Sequence, residues 1–138
     1  MPDTAKPAAG HSTLAFARLY ADDAGESRFG PLAVTIAERN FAPPAPPFMV
    51  SPMVEAARQG FLVVPAGWIG ILHPSSLRMW IFLLEGEMEF EASDGQIHPL
   101  TIGAGLLLEN TTGKGHRSRV IGGTAATLVV VELPGQTA

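Results

Sequence analysis

Few side chains in this sequence can do chemistry, and their spacing frames the question. His73 lies in the apolar run "GWIGILHPSSLRMWIFLLEG" (67–86), followed by Ser75 and then Met79. His116 follows a Gly-Lys-Gly turn in "ENTTGKGHRSR" (109–119), which Glu109 opens. Imidazole and carboxylate move protons near neutral pH once burial or a neighbouring charge shifts them, and imidazole also ligates metals. His116 and Glu109 are therefore the candidate acid–base pair. The chain has no cysteine, which removes thiolate metal sites, cysteine nucleophiles and disulfides. "GAG" (103–105) and "GKG" (113–115) do not match the phosphate-binding P-loop, and there is no Gly-x-Ser-x-Gly nucleophile elbow.

Each of these residues also has an ordinary structural reading. A histidine among apolar neighbours is commonly a satisfied core or rim group. Met79 fills a core, Trp68 packs in one, and Glu109 pairs with Lys114 or with an arginine of "RSR" to hold a loop.

The elements that must position these groups read as strands. Fifteen glycines and twelve prolines punctuate the chain, and almost no window sustains a 3.6-residue apolar period. Strands are expected over 13–20, 32–39, 60–66, 78–84, 87–92, 106–110, 116–122 and 126–133. Gly86 is expected to close a hairpin, after which Glu87, Met88, Glu89, Phe90 and Glu91 alternate between water and core. "SDGQ" (93–96) supplies a second turn. Pro43, Pro44, Pro46 and Pro47 keep "FAPPAPPFMVSP" (41–52) out of a ladder, as a stiff arm, lid or dimer contact. "MVEAARQ" (53–59) is the one place for a helical turn or two. Within a strand, Met79, Ile81 and Leu83 share a face that His73 and Ser75 continue, while Arg78 and Trp80 take the opposite face. His98 and His11 read as surface residues.

At 138 residues the chain suits one domain over 12–134, with loose tails at 1–11 and 135–138. The first ten residues show no signal-peptide pattern and no apolar run reaches the ~18 residues of a membrane span, so cytoplasm is the default compartment. A formal charge of −4 with scattered Lys and Arg argues against nucleic acid. With 46% hydrophobic against 16% charged residues, more apolar surface must be buried than one small core uses, which points to a homodimer.

Gly67, His73 and Gly86 fall on the first cupin motif, and Gly105, Gly113 and His116 on the second, with residues 87–104 between. The chain resembles the cupins, and more narrowly small bacterial single-domain cupins that share "GESRF", "PPAPP", "GW", "HP", a "DG" turn and "TTGKGH". The likeness covers about residues 12–133. It implies an all-β fold, a small double-stranded β-helix or jelly-roll barrel with a proline-rich N-terminal arm. It also implies that motif side chains converge inside that barrel. In metal-binding cupins two histidines and a glutamate of the first motif join the histidine of the second. Here Ser75 and Met79 stand at two of those positions, and a hydroxyl and a thioether are poor ligands for a hard divalent ion. No cofactor is therefore expected, beyond a weakly held divalent ion at His73 and His116.

The expected function is binding of a small, largely apolar organic molecule in the barrel cavity, lined by Trp68, His73, Ser75, Met79 and Ile81. The alternatives are an isomerase, lyase or cyclase using His116 and Glu109, or a metal-dependent dioxygenase.

Overall fold

The computed structural model describes residues 11–134. Alternating side chains build ten strands: β1 (His11–Ala21), β2 (Ser27–Arg39), β3 (Phe48–Val50), β4 (Arg58–Val64), β5 (Met79–Glu85), β6 (Met88–Ala92), β7 (Ile97–Leu100), β8 (Gly105–Leu108), β9 (His116–Val120) and β10 (Ala126–Glu132). The class is all-β as expected, with no helix among the described residues. The expected tails at 1–10 and 135–138 lie outside those residues, and residue 11 opens β1.

The chain divides into two compact units. One takes 32–54 and the start of β1. In it β3 pairs antiparallel with β2, from Ala37↔Val50 to Arg39↔Phe48. Prolines hold 41–47 out of any ladder, as expected. Phe48–Val50 nonetheless joins one, once the last of those prolines is passed and its N–H groups are available.

The other unit, 16–31 with 55–134, carries the site. Its larger sheet runs β1-β8-β5-β10-β4, with β1 parallel to β8 at Ala17↔Leu106 and the remaining pairs antiparallel. The smaller sheet runs β7-β6-β9. Leu19, Ile81, Leu83, Met88, Phe90, Leu100, Leu106, Leu108, Val120 and Leu128 fill the space between them. Each such side chain, removed from water, contributes roughly 1.5–3 kcal/mol. β6 follows the expected alternation: Met88, Phe90 and Ala92 are buried, with Glu89 and Glu91 partly exposed between them.

Three expectations are corrected. Residues 53–59 form no helix: Arg58 and Gln59 extend β4, where Arg58 Nε bonds Glu132 Oε1 at 2.6 Å and the Ala57 N–H bonds the Glu132 carbonyl. Paired with β10, these backbone groups gain a ladder that a short isolated helix would not supply. Gly86 closes no hairpin, because β5 and β6 belong to different sheets. The turn instead carries the chain across the core, pressed so tightly on the start of β10 that a Cβ on Gly86 would lie 2.6 Å from the Ala125 carbonyl oxygen. β7, unexpected because Pro99 interrupts it, survives as an edge strand, where a missing N–H is tolerated. The turn at 93–96 does join β6 to β7.

Two of the segments quoted for the resemblance, "GESRF" and "TTGKGH", meet in one clasp with Ser93, which precedes the "DG" turn. The Ser27 and Ser93 backbone N–H groups each donate to the other serine's Oγ at 2.7 Å. Ser27 Oγ donates to the Gly115 carbonyl and Ser93 Oγ to Glu26, and Lys114 Nζ reaches Glu26 at 2.8 Å. Gly115, held by this clasp at φ +90°, lies against the His73 backbone with no room for a Cβ. Gly95 has a similar φ of +95° but open space around it. Gly115→Ala is expected to cost about 3 kcal/mol or more in urea denaturation, and Gly95→Ala only about 1 kcal/mol, the backbone term they share.

Candidate functional site

The site begins with a backbone bond. β9 is unpaired on its far side, and residues 68–73 run along it: Val120 N–H bonds the Trp68 carbonyl, Gly70 N–H bonds Ser118, and His73 and His116 exchange both N–H···O bonds at 2.9 Å. Residues paired in this way stand directly opposite, and their side chains are near neighbours. The two imidazoles are 5.0 Å apart between centroids. The two motifs that carry the resemblance thus bring His73 and His116 together.

Their environments differ. His116 starts β9 on its inward face, 3% exposed, beside Phe90 at 5.7 Å. Asn110 Nδ2 donates to His116 Nδ1 at 2.9 Å, which leaves the ring proton of the neutral imidazole on Nε2. Burial, and next the positive charge His73 can carry, lower the His116 pKa to about 4, so the ring is neutral at physiological pH. His73 is exposed, and its Nδ1–H donates to the Pro74 carbonyl at 2.7 Å, leaving the Nε2 lone pair free on its neutral ring. One nitrogen of the pair offers a proton and the other a lone pair. Asn110, fully buried, adds a side-chain oxygen with no hydrogen-bond partner among the described residues. The sequence reading missed Asn110 and Phe90. Asn110 stands at the end of "LLLEN", a polar residue closing a buried strand, and that contrast was the available signal.

Other expected site residues make contacts of their own, and the Ser75 N–H bonds the Asn110 carbonyl at 3.0 Å. Ser75 is buried, but its hydroxyl donates to the Leu77 carbonyl at 2.6 Å. Met79 is half-buried against the core, and Ile81 is 3% exposed within it, on the shared face that strand parity requires. The Trp68 indole lies across Gly70, whose Cβ would come within 2.6 Å of the ring. Glu109 pairs with two arginines: Arg18 Nη1 reaches its Oε1 at 3.0 Å and Arg78 Nε its Oε2 at 2.9 Å. Lys114 and the "RSR" arginines pair with Glu26, Glu91 and Glu89 instead. His98, expected at the surface, is half-buried with its ring 5.3 Å from that of Phe29, because its strand position faces inward opposite Phe90. The side chain of His11 lies outside the described residues.

The donor set does not fit the divalent metal that the resemblance to metal-binding cupins implies. No group of three His, Cys, Asp or Glu could hold an ion among the described residues. The Ser75 hydroxyl is engaged, and His116 receives a hydrogen bond on Nδ1 where a metal-ligating histidine normally donates one.

No family model matches the chain, and no curated protein matches it. Solved structures similar to it include cupin proteins. The Schizosaccharomyces pombe Cnp3 cupin domain is 14% identical over 88% of this chain and 83% of its own, with a TM-score of 0.44. An RmlC-like cupin protein from Desulfovibrio desulfuricans is 14% identical over 86% and 81%, with a TM-score of 0.39. Protein NMB1881 from Neisseria meningitidis is 17% identical over 59% and 82%, with a TM-score of 0.39.

The lowered pKa makes stability depend on pH. Between about pH 6.5 and 4 the unfolded chain protonates His116 and the folded chain does not, so stability falls as pH falls through that window. The loss is about 3 kcal/mol, at ~1.4 kcal/mol per pKa unit. Denaturation curves across this window should be flatter by about that amount in His116→Gln. Glu109→Gln should cost only about 1 kcal/mol, as expected for partly exposed ion pairs, and should leave the His116 titration measured by NMR unmoved.

Proposed function

We propose that this chain binds a small, largely apolar organic molecule, with the His73–His116 pair meeting the ligand's one polar group. The observation that carries this reading is the pair's complementarity, with a proton on His116 Nε2 and a lone pair on His73 Nε2. A hydroxyl or an amide, which both donates and accepts, matches it. Phe90 beside His116 supplies apolar contact of the kind that small-molecule sites use. Binding is favoured over acid–base catalysis because Glu109, the carboxylate that would partner His116, is held by Arg18 and Arg78. It is favoured over metal-dependent oxidation because the donor set lacks carboxylates.

Native mass spectrometry and elemental analysis of protein purified without chelator test this reading, together with thermal-shift titration of simple phenols and aromatic amides. Expected are less than a tenth of an equivalent of iron, manganese or zinc, and an organic adduct or a midpoint rise that His116→Gln weakens at least tenfold. Near-stoichiometric metal overturns the proposal, as does the absence of both adduct and stabilisation. Long-range 15N–1H spectra supply an independent readout: the His116 proton should sit on Nε2, and its presence on Nδ1 would remove the donor the ligand needs.

A further inference from the structure

On the outer face of the larger sheet two arginines divide one carboxylate. Pairing puts them there: one step beyond the Leu19↔Leu108 and Met79↔Leu108 pairs, Tyr20 and Arg78 stand on either side of Glu109. Arg18, two residues before Tyr20 on the same face, lays its guanidinium over the Tyr20 ring at 4.1 Å and gives Nη1 to Glu109 Oε1, while Arg78 gives Nε to Oε2. Elsewhere on the surface Arg28, Arg58, Lys114, Arg117 and Arg119 each hold at least one carboxylate of their own. At Glu109 two positive charges meet one negative. The two forks are also underused: Arg119 gives Glu89 both Nε and Nη2, whereas Arg18 Nε and Nη2 and both Nη groups of Arg78 bond no protein group among the described residues. At 37% and 36% exposure both side chains are within reach of a solute. The same face continues as an aromatic floor. Trp80, in register with Leu107 and Arg18, stacks on Phe82 at 5.4 Å and meets Phe16 edge-on at 5.1 Å, and all three rings are only partly buried.

We propose that Arg18 and Arg78 form a binding site for a small aromatic carboxylic acid, whose carboxylate takes their unused N–H groups and whose ring lies against Trp80. Charge complementarity sets the class. The surplus is a single positive charge, which a monoanion cancels, whereas a phosphate of roughly −1.5 to −2 at pH 7 overshoots it beside Glu109. A guanidinium fork also matches the two oxygens of a carboxylate in spacing and plane. Glu109 and the Tyr20 ring already hold the arginines in place, so little side-chain freedom is lost when a ligand arrives. An acid without a ring would leave the exposed part of Trp80 uncovered and forgo that contact. Glu109 thus has two effects on this site: it positions both guanidiniums, and its own charge weakens their hold on a second carboxylate.

Titration of the full chain with 2-naphthoate, acetate and inorganic phosphate tests the site, followed in 15N–1H spectra that resolve the arginine Nε–H and tryptophan Nε1–H signals. 2-Naphthoate should shift Arg18, Arg78 and Trp80 together and saturate, and acetate and phosphate should each bind at least about fivefold more weakly. Arg78→Gln should weaken 2-naphthoate about tenfold with native circular dichroism, since it removes a charged donor from a partly exposed position. Arg117→Gln, which removes an arginine that has Glu91 to itself, should leave binding unchanged. Glu109→Gln should strengthen binding about fivefold, because it removes the negative charge beside the ligand, a change opposite in sign to its small cost in stability. The absence of shifts at the two arginines overturns the proposal, as does phosphate or acetate binding as tightly as 2-naphthoate. So does binding that is indifferent to Arg78→Gln or that Glu109→Gln fails to strengthen. His116→Gln should leave these shifts in place, so the outcome stands apart from that of the histidine site.

Discussion

The contact on which the site depends is between two stretches of backbone, at Gly115 and His73. Gly115 bears no side chain, and the His73 main chain occupies the space one would need. That approach lets His73 and His116 trade hydrogen bonds, and the trade sets their rings 5.0 Å apart. Side-chain chemistry follows from there. His116 is drawn inward beside Phe90 and loses water, while His73 stays at the edge and keeps it. The pair is thus two unlike imidazoles held at fixed separation, each with its tautomer set by a different partner.

Support for this contact comes from a polar cluster distant in sequence. Ser27, Ser93, Glu26 and Lys114 satisfy one another and the Gly115 carbonyl, and Ser27 is fully buried while doing so. A partly buried polar network is worthwhile only when its buried member finds partners, and Ser27 does. The segments "GESRF", "SDG" and "TTGKGH" therefore act together in placing His116. Their immediate work is to fix backbone position.

How much of this could be read beforehand depended on the scale of the interaction. Alternation announced β6, and parity announced that Ile81 and Leu83 face inward with Met79, because period two is a local property. The spacing of His73 and His116 announced their meeting through the resemblance of two motifs. Gly86 misled because a glycine turn after a strand reads the same whether the next strand pairs or crosses to another sheet. Residues 53–59 misled because local helix propensity is weak beside a ladder with β10. The partners of Glu109 were invisible for a related reason: Arg18 comes from β1, which reaches β8 only through parallel pairing across most of the chain.

That same parallel pairing shapes how the chain reaches its native state. β6 and β7 close through a short turn, but β1 must find β8, and β10 must find both β4 and β5, over long separations. Loop entropy is lost before such contacts return anything, which places this topology among slow folders. Until β10 covers it, β4 has neither of its edges paired. A nascent chain on the ribosome therefore carries Phe61, Leu62 and Val63 on an uncovered strand until its last strand has been synthesised.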